Sequence, residues 1–131
     1  MSTTTPDINS PEAIHNLVRK RYAEVITRKT SFCAPSTAVD TRAITRGIGY
    51  SADTLKAVPD DANLGLGCGN PTALAALQLG EVVVDLGAGA GLDSLIAAKA
   101  VGLEGRVIGV DMTPEMLKSA RKHAVEMDVH G

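Results

Sequence analysis

Apolar residues recur at helical spacing in the first part of the chain, over residues 14–26. Spacings of three and four residues place these side chains on one helix face. Ser10 and Pro11 precede them as a start signal, because serine caps a helix and proline suits its first turn. The pattern predicts an amphipathic helix that runs to about Lys29 and follows a disordered lead over residues 1–9.

The pattern weakens in the next part of the chain. Residues 30–50 show no sustained period and are predicted to form a loop. Ser51 is predicted to cap a short helix that ends near Val58, because Pro59 disfavours helical geometry in the residue before it. We therefore expect residues 10–58 to form an N-terminal helical segment with a loop.

Helical patterns alternate with short apolar runs over residues 59–131, which we expect to form a second unit. Runs of β-branched residues predict strands at residues 82–86 and 106–110. Cap and proline signals predict three helices, which run from Asn70-Pro71 to just before Gly80, from Leu92 to Ala100, and from Thr113 to about Asp128. The order helix, strand, helix, strand, helix predicts an α/β fold with parallel strands and a right-handed crossover.

A glycine-rich loop and an acidic residue follow the two predicted strands. Gly87, Gly89 and Gly91 lie between the first strand and the next helix. Glycines permit positive φ and let a ligand approach the backbone, and free amides at the helix start favour an anionic group. Asp111 ends the second strand, and the carboxyl ends of parallel strands meet at one edge. The glycine-rich loop and Asp111 together predict a site for an adenosine cofactor, in which Asp111 accepts hydrogen bonds from the ribose.

The glycine spacing distinguishes between adenosine cofactors. A dinucleotide fingerprint needs glycine at the sixth position, which here is Leu92. Glycines at positions one, three and five, with an acid two residues upstream, resemble motif I of class I methyltransferases. That resemblance implies S-adenosylmethionine as cofactor, with contacts from Asp85, Gly87, Ala88, Gly89, Gly91, Asp111 and Met112. A dinucleotide site and an ordinary strand-to-helix turn remain the alternatives.

Three stretches together resemble a narrower family, the arsenite methyltransferases. They are Asn63-Leu-Gly-Leu-Gly-Cys-Gly-Asn-Pro71, Val84-Asp-Leu-Gly-Ala-Gly-Ala-Gly91 and Val107-Ile-Gly-Val-Asp-Met-Thr-Pro-Glu-Met116. Gly49-Tyr50-Ser51 and the basic first helix with the nearby Cys33 also match in kind. The resemblance covers most of residues 14–131. It implies the Rossmann-like fold of class I methyltransferases, of which this chain would hold the first two parallel strands with flanking helices.

The same resemblance implies a role for both cysteines of the chain, Cys33 and Cys68. The family transfers a methyl group to trivalent arsenic held by cysteine thiolates, so these residues would bind arsenite and act in catalysis. Arsenic is thiophilic, as soft centres are, and its lone pair can attack the methyl group without a general base. A thiol reductant would be the second small-molecule partner. The alternative for each cysteine is a small buried apolar side chain.

Charge and composition exclude several classes of partner. The net charge is −2, and the one basic cluster, at residues 19–21, is interleaved with Glu24 in a helix, which indicates a solvated face. We therefore expect no nucleic acid partner. Neither a secretory leader nor an apolar stretch of membrane-spanning length is present, so we expect no membrane association. Two cysteines in such a chain are expected to be free thiols in the cytoplasm.

The chain also departs from the family pattern. Members have two further cysteines, additional strands and a C-terminal domain, whereas this sequence stops at Gly131. We therefore expect a fragment that is inactive alone, with a sheet edge exposed for self-association. Two alternatives remain open, namely a non-catalytic S-adenosylmethionine-binding or interaction module, and a methyltransferase for a small organic acceptor.

Overall fold

The computed structural model describes residues 10–28, 40–66, 70–71 and 75–129. Its elements are the helices α1 (Pro11–Arg28), α2 (Thr41–Gly47), α3 (Ala52–Lys56), α4 (Leu92–Val101) and α5 (Pro114–Glu126), a 3-10 helix (Asp60–Ala62), and the strands β1 (Val82–Leu86) and β2 (Arg106–Val110). The predicted disordered lead, Cys33 and Cys68 lie outside the described residues. No helix among those described is long and apolar enough to cross a membrane.

The two strands form a parallel pair, as the alternating order of helices and strands predicts. Val82 pairs with Arg106, and the register continues to Leu86 with Val110. Helix α4 connects the strands and packs against both of them. This is the β-α-β unit of a Rossmann-like fold, so the predicted α/β class is confirmed.

Helix starts follow the capping signals at Ser10 and Ser51 but not at Thr113. Ser10 Oγ accepts from the Ala13 amide at 3.1 Å, and Ser51 Oγ accepts from the Thr54 amide at 3.1 Å. Thr113 makes no side-chain cap. Its own amide instead donates to Asp111 Oδ1 at 2.8 Å, so the start of α5 is tied to the end of β2.

The prediction of a loop over residues 30–50 is wrong for its second half, because α2 occupies Thr41–Gly47. Asp40 caps this helix by accepting from the Arg42 and Ala43 amides. The helix has only seven residues, and its one buried residue is the polar Thr45. Two turns without a buried apolar position give no hydrophobic period to detect.

The predicted helix before Gly80 ends earlier than expected. Pro71 and Ala75 are helical, residues 72–74 lie outside the described part, and Ala76 leaves the helix with φ +47°. Gly80 belongs to a turn, where its amide donates to Val101 O at 2.8 Å. The turn is closed by the Gln78 amide, which donates to the Glu81 side chain at 2.9 Å. This side-chain acceptor competes with helical hydrogen bonding.

The apolar core lies between α4, α5 and the segment around the 3-10 helix. Val58, Ala62 and Leu95 are its buried centre, and partly buried apolar residues of α4 and α5 pack around them. Helix α1 packs on α5, with Val25 only 2% exposed. The described helices leave one face of the sheet uncovered, and its exposed apolar residues are Val82, Val84, Leu86, Ile108 and Val110.

Candidate cofactor-binding site

A cleft of about 500 Å³ opens at the carboxyl ends of the two strands. This volume is in the range of small-molecule and cofactor sites. One wall is built from the glycine loop and the end of β2, and the other from residues between α2 and the 3-10 helix. The predicted residues that line it are Gly87, Ala88, Gly89, Asp111 and Met112.

The glycine loop turns with positive φ and leaves room in front of its backbone. Gly87 has φ +78° and Gly89 has φ +55°, and a Cβ atom at either residue would meet no atom within 4 Å. The amides of Gly87 and Ala88 both donate to Val110 O, at 2.7 and 2.9 Å. Two glycines with open space in front of their backbone therefore border the cleft, in a loop that its own amides hold to the end of β2.

Asp111 joins the loop to the helix that follows β2. Its Oδ2 accepts from the Gly89 amide at 2.9 Å, and its Oδ1 accepts from the Thr113 amide at 2.8 Å. A carboxylate has about four acceptor positions, so each oxygen retains capacity for a further donor such as a hydroxyl. Asp111 thus fixes the loop and still presents an acceptor to the cleft.

Two predicted residues, Asp85 and Gly91, are not among the residues that line the cleft. Asp85 lies behind the loop, where its Oδ2 accepts from Ser94 Oγ at 2.6 Å. Gly91 is the N-cap of α4 with φ +98°, and a Cβ atom there would lie 3.3 Å from Ala120 Cβ. The structure thus places Asp85 at the junction of β1 with α4, and Gly91 at the contact of α4 with α5.

Tyr50 and Asp93 also line the cleft, and sequence reasoning did not single out either as a site residue. Tyr50 is 3% exposed, and its hydroxyl donates to Asp93 Oδ1 at 2.5 Å. Burial raises the pKa of Asp93 above its ordinary value; the Tyr50 hydrogen bond opposes this shift, and the nearby Asp85 carboxylate adds to it. The two residues are 43 positions apart, so no local motif could have paired them.

Asn63 forms a buried polar support beneath this second wall. Its Oδ1 accepts from the Gly65 amide at 3.1 Å and lies 2.7 Å from Thr45 Oγ1. Its Nδ2 is buried and has no hydrogen-bond partner within the described part of the chain. Asn63 begins one of the motif stretches, and residues 63–66 of that stretch line the cleft.

The charges of the cleft distinguish between candidate cofactors. Among the described residues that line it, the charged ones are the two carboxylates Asp93 and Asp111. A pyrophosphate would meet negative charge here, and Gly87, Ala88 and Gly89 already use their amides within the protein. A ligand with positive charge and ribose hydroxyls fits this cleft, and S-adenosylmethionine has both.

The described residues include no group of three or more His, Cys, Asp or Glu side chains that could hold a metal ion. Cys33 and Cys68, the predicted arsenic ligands, lie outside these residues. Residues 66 and 70, which lie two positions before and after Cys68, are described. Leu66 lines the cleft, and Asn70 Nδ2 donates to Gly49 O at 3.1 Å.

Comparison with known proteins identifies relatives. Residues 77–131 match a family model described as a methyltransferase domain. An arsenite methyltransferase of Halobacterium salinarum is 44% identical over 129 residues, which cover 90% of this chain and 33% of that protein. The chain is homologous to the arsenite methyltransferases. The resemblance that the motifs carry is thereby confirmed, and with it S-adenosylmethionine as the cofactor.

Two further proteins are similar to the chain. An arsenite methyltransferase of Aquipseudomonas alcaligenes is 33% identical over 122 residues, or 89% of this chain and 32% of that protein. A crystal structure of an arsenic(III) S-adenosylmethionine methyltransferase from Chlamydomonas reinhardtii aligns with 70% of this chain and 26% of that one, at 39% identity and a TM-score of 0.40. The chain spans about a third of the length of the two arsenite methyltransferases it matches.

Proposed function

We propose that this chain forms the cofactor-binding part of a methyltransferase that acts on arsenite. The observation that carries the proposal is the cleft, in which a glycine-rich loop and two carboxylates face one space. The similarity to two arsenite methyltransferases over about nine tenths of the chain supports arsenic as the acceptor.

The proposed cofactor contacts follow the cleft wall. Gly87, Ala88 and Gly89 would let the cofactor approach the backbone, Asp111 would accept hydrogen bonds from its ribose, and Met112 would pack beside it. Asp85 and Gly91 would act indirectly, since they fix the loop from behind. When bound, S-adenosylmethionine supplies a methyl group on a positively charged sulfur.

The proposed substrate contacts are the thiolates of Cys33 and Cys68. Thiolates select soft, thiophilic centres, so they would bind trivalent arsenic in preference to hard cations. Holding the arsenic near the cofactor would contribute proximity and orientation, and its lone pair makes a general base unnecessary. The position of Leu66 in the cleft wall, two residues before Cys68, supports this assignment. Reduced thiols are required throughout, so we propose a thiol reductant and the cytoplasm as the compartment.

Two measurements test the proposal. Calorimetric titration with S-adenosylmethionine should give saturable binding to the chain, and absence of binding would contradict the cofactor site. In any form of the protein that methylates arsenite, Cys68→Ser should abolish this activity while leaving cofactor affinity unchanged. Full turnover by Cys68→Ser would instead favour a methyltransferase for a small organic acceptor, and binding without any turnover would favour a non-catalytic binding module.

A further inference from the structure

The two carboxylates of the cleft differ in how their hydrogen-bonding capacity is used. Asp111 receives one backbone amide on each oxygen. Asp93 receives the Tyr50 hydroxyl on Oδ1, and its Oδ2 meets no hydrogen-bond donor in the part of the chain that is described. Asp93 is therefore the cleft carboxylate with an unused oxygen.

The surroundings of Asp93 make its charge unfavourable while the cleft holds no cation. Burial raises its pKa, and the Asp85 carboxylate adds to the effect. No lysine, arginine or histidine lines the cleft among the described residues. A half-buried carboxylate in such a place gains most from a ligand that brings a cation with hydrogen-bond donors.

We propose that Asp93, oriented by the Tyr50 hydroxyl, binds the α-ammonium group of the cofactor's amino-acid end and so determines specificity for ligands that have this group. The inference rests on the proposed cofactor site and names a residue of that site that neither the glycine motif nor the ribose acid predicts. Tyr50 is a positioning residue in this scheme, because it holds Oδ1 and leaves Oδ2 for the ligand.

The cofactor has two cationic groups, and chemistry favours the ammonium as the partner. An ammonium donates hydrogen bonds, so it can satisfy the unused oxygen of Asp93, whereas a sulfonium has no donor. A carboxylate against the sulfonium would also stabilise the charge that methyl transfer removes. Such a contact stabilises the ground state more than the transition state and slows the reaction.

Three ligands separate the amino-acid end from the rest of the cofactor. S-adenosylmethionine and S-adenosylhomocysteine both have the ammonium, and only the first has the sulfonium. 5′-Methylthioadenosine keeps the adenosine and has neither. Calorimetric titration of Asp93→Asn should show affinity for the first two lowered by about 10-fold or more, with 5′-methylthioadenosine unchanged. Tyr50→Phe should weaken the same two ligands by about 3-fold.

Two control variants test whether the loss of affinity depends on the ammonium group. Asp111→Asn should weaken all three ligands, because all three contain the ribose. Asp53→Asn should weaken none, because that side chain is 96% exposed and lies outside the cleft lining. Wild-type affinity of Asp93→Asn for S-adenosylmethionine would overturn the inference, as would equal loss of all three ligands or loss of S-adenosylmethionine alone. A wild-type chain that binds none of them would instead refute the cofactor site, and the inference with it.

Discussion

Gly87 and Gly91 are residues of the same motif with different physical requirements. Both have positive φ, but a Cβ atom at Gly87 meets open space, whereas one at Gly91 would meet Ala120. The sequence pattern treats these glycines alike, because a motif registers residue type and not surroundings. The structure shows that Gly91 lies at the contact of α4 with α5, whereas Gly87 borders the cleft.

This difference predicts unequal costs of substitution. Gly87→Ala should lower the free energy of unfolding by about 1–2 kcal/mol, the cost of a left-handed backbone for alanine. Gly91→Ala should lower it by about 2–4 kcal/mol, because overpacking against Ala120 is added to that strain. Urea unfolding of both variants beside wild type measures the difference. Equal losses would show that the contact with Ala120 does not constrain Gly91.

The environment of Asp93 predicts a dependence of stability on pH. Its folded-state pKa lies above the ordinary value of 3.8, so the folded chain binds more protons than the unfolded chain between these two values. Tyr50 and Asp85 are the titratable groups that contribute to the shift. Wild type should therefore gain stability relative to Asp93→Asn as the pH falls from neutrality through the raised pKa, with no further gain below 3.8.

Urea unfolding of wild type and Asp93→Asn across this pH range measures the change. The comparison cancels titration of the other carboxyl groups, because both proteins contain them. A difference in stability that moves in favour of Asp93→Asn at lower pH would contradict the assigned direction of the pKa shift.

At the scale of elements, the sequence predicted the helices and strands that have a regular apolar pattern or clear turn and cap residues at their ends. Strand β1 was predicted at its observed bounds, since a β-branched run between turn signals is typical of a strand, but the expectation that it is buried is wrong, because Val82, Val84 and Leu86 are exposed. Helix α2 was missed because its two turns bury Thr45 and no apolar residue. The pairing of Tyr50 with Asp93 was equally hidden, because it depends on how the residues after α2 pack against the start of α4. Sequence thus located the glycine-loop side of the cleft and missed much of the opposite wall.

Helix α5 reaches the glycine loop through a residue that no motif indicated. His123 is 1% exposed, and its Nδ1 lies 2.9 Å from the Ala90 carbonyl oxygen. A carbonyl only accepts, so this contact requires the proton on Nδ1. The hydrogen bond joins the middle of the loop to α5 from behind the cleft.

Removing this link should destabilise the junction of α5 with the loop. His123→Leu should lower the free energy of unfolding by about 1–3 kcal/mol, because it deprives a buried carbonyl of its donor. Lys122→Ala is the matched control on the same helix and should cost less than about 0.5 kcal/mol, since the Lys122–Glu126 pair is exposed. Denaturant titration compares the two. A His123→Leu loss no larger than the control's would show that the hydrogen bond adds no stability.

At the scale of the whole molecule, the uncovered face of the sheet has the largest consequence. Val82, Val84 and Leu86 of β1 are 56–79% exposed, and Ile108 and Val110 of β2 lie beside them. Contiguous apolar side chains on a sheet with open edges favour association, because burying them removes apolar area from water. We expect copies of the 131-residue chain to associate through this face and its edges.

Size-exclusion chromatography with light scattering tests this expectation. The chain has a mass of 13.6 kDa, and wild type should elute as a larger species. Val84→Lys should shift the population towards monomer, because a lysine there would lose its hydration in the contact. Leu103→Lys is the matched control, since Leu103 is fully exposed but lies in the turn after α4, away from the sheet face. A compact wild-type monomer would contradict the expectation, and equal dissociation by both lysine variants would place the contact elsewhere.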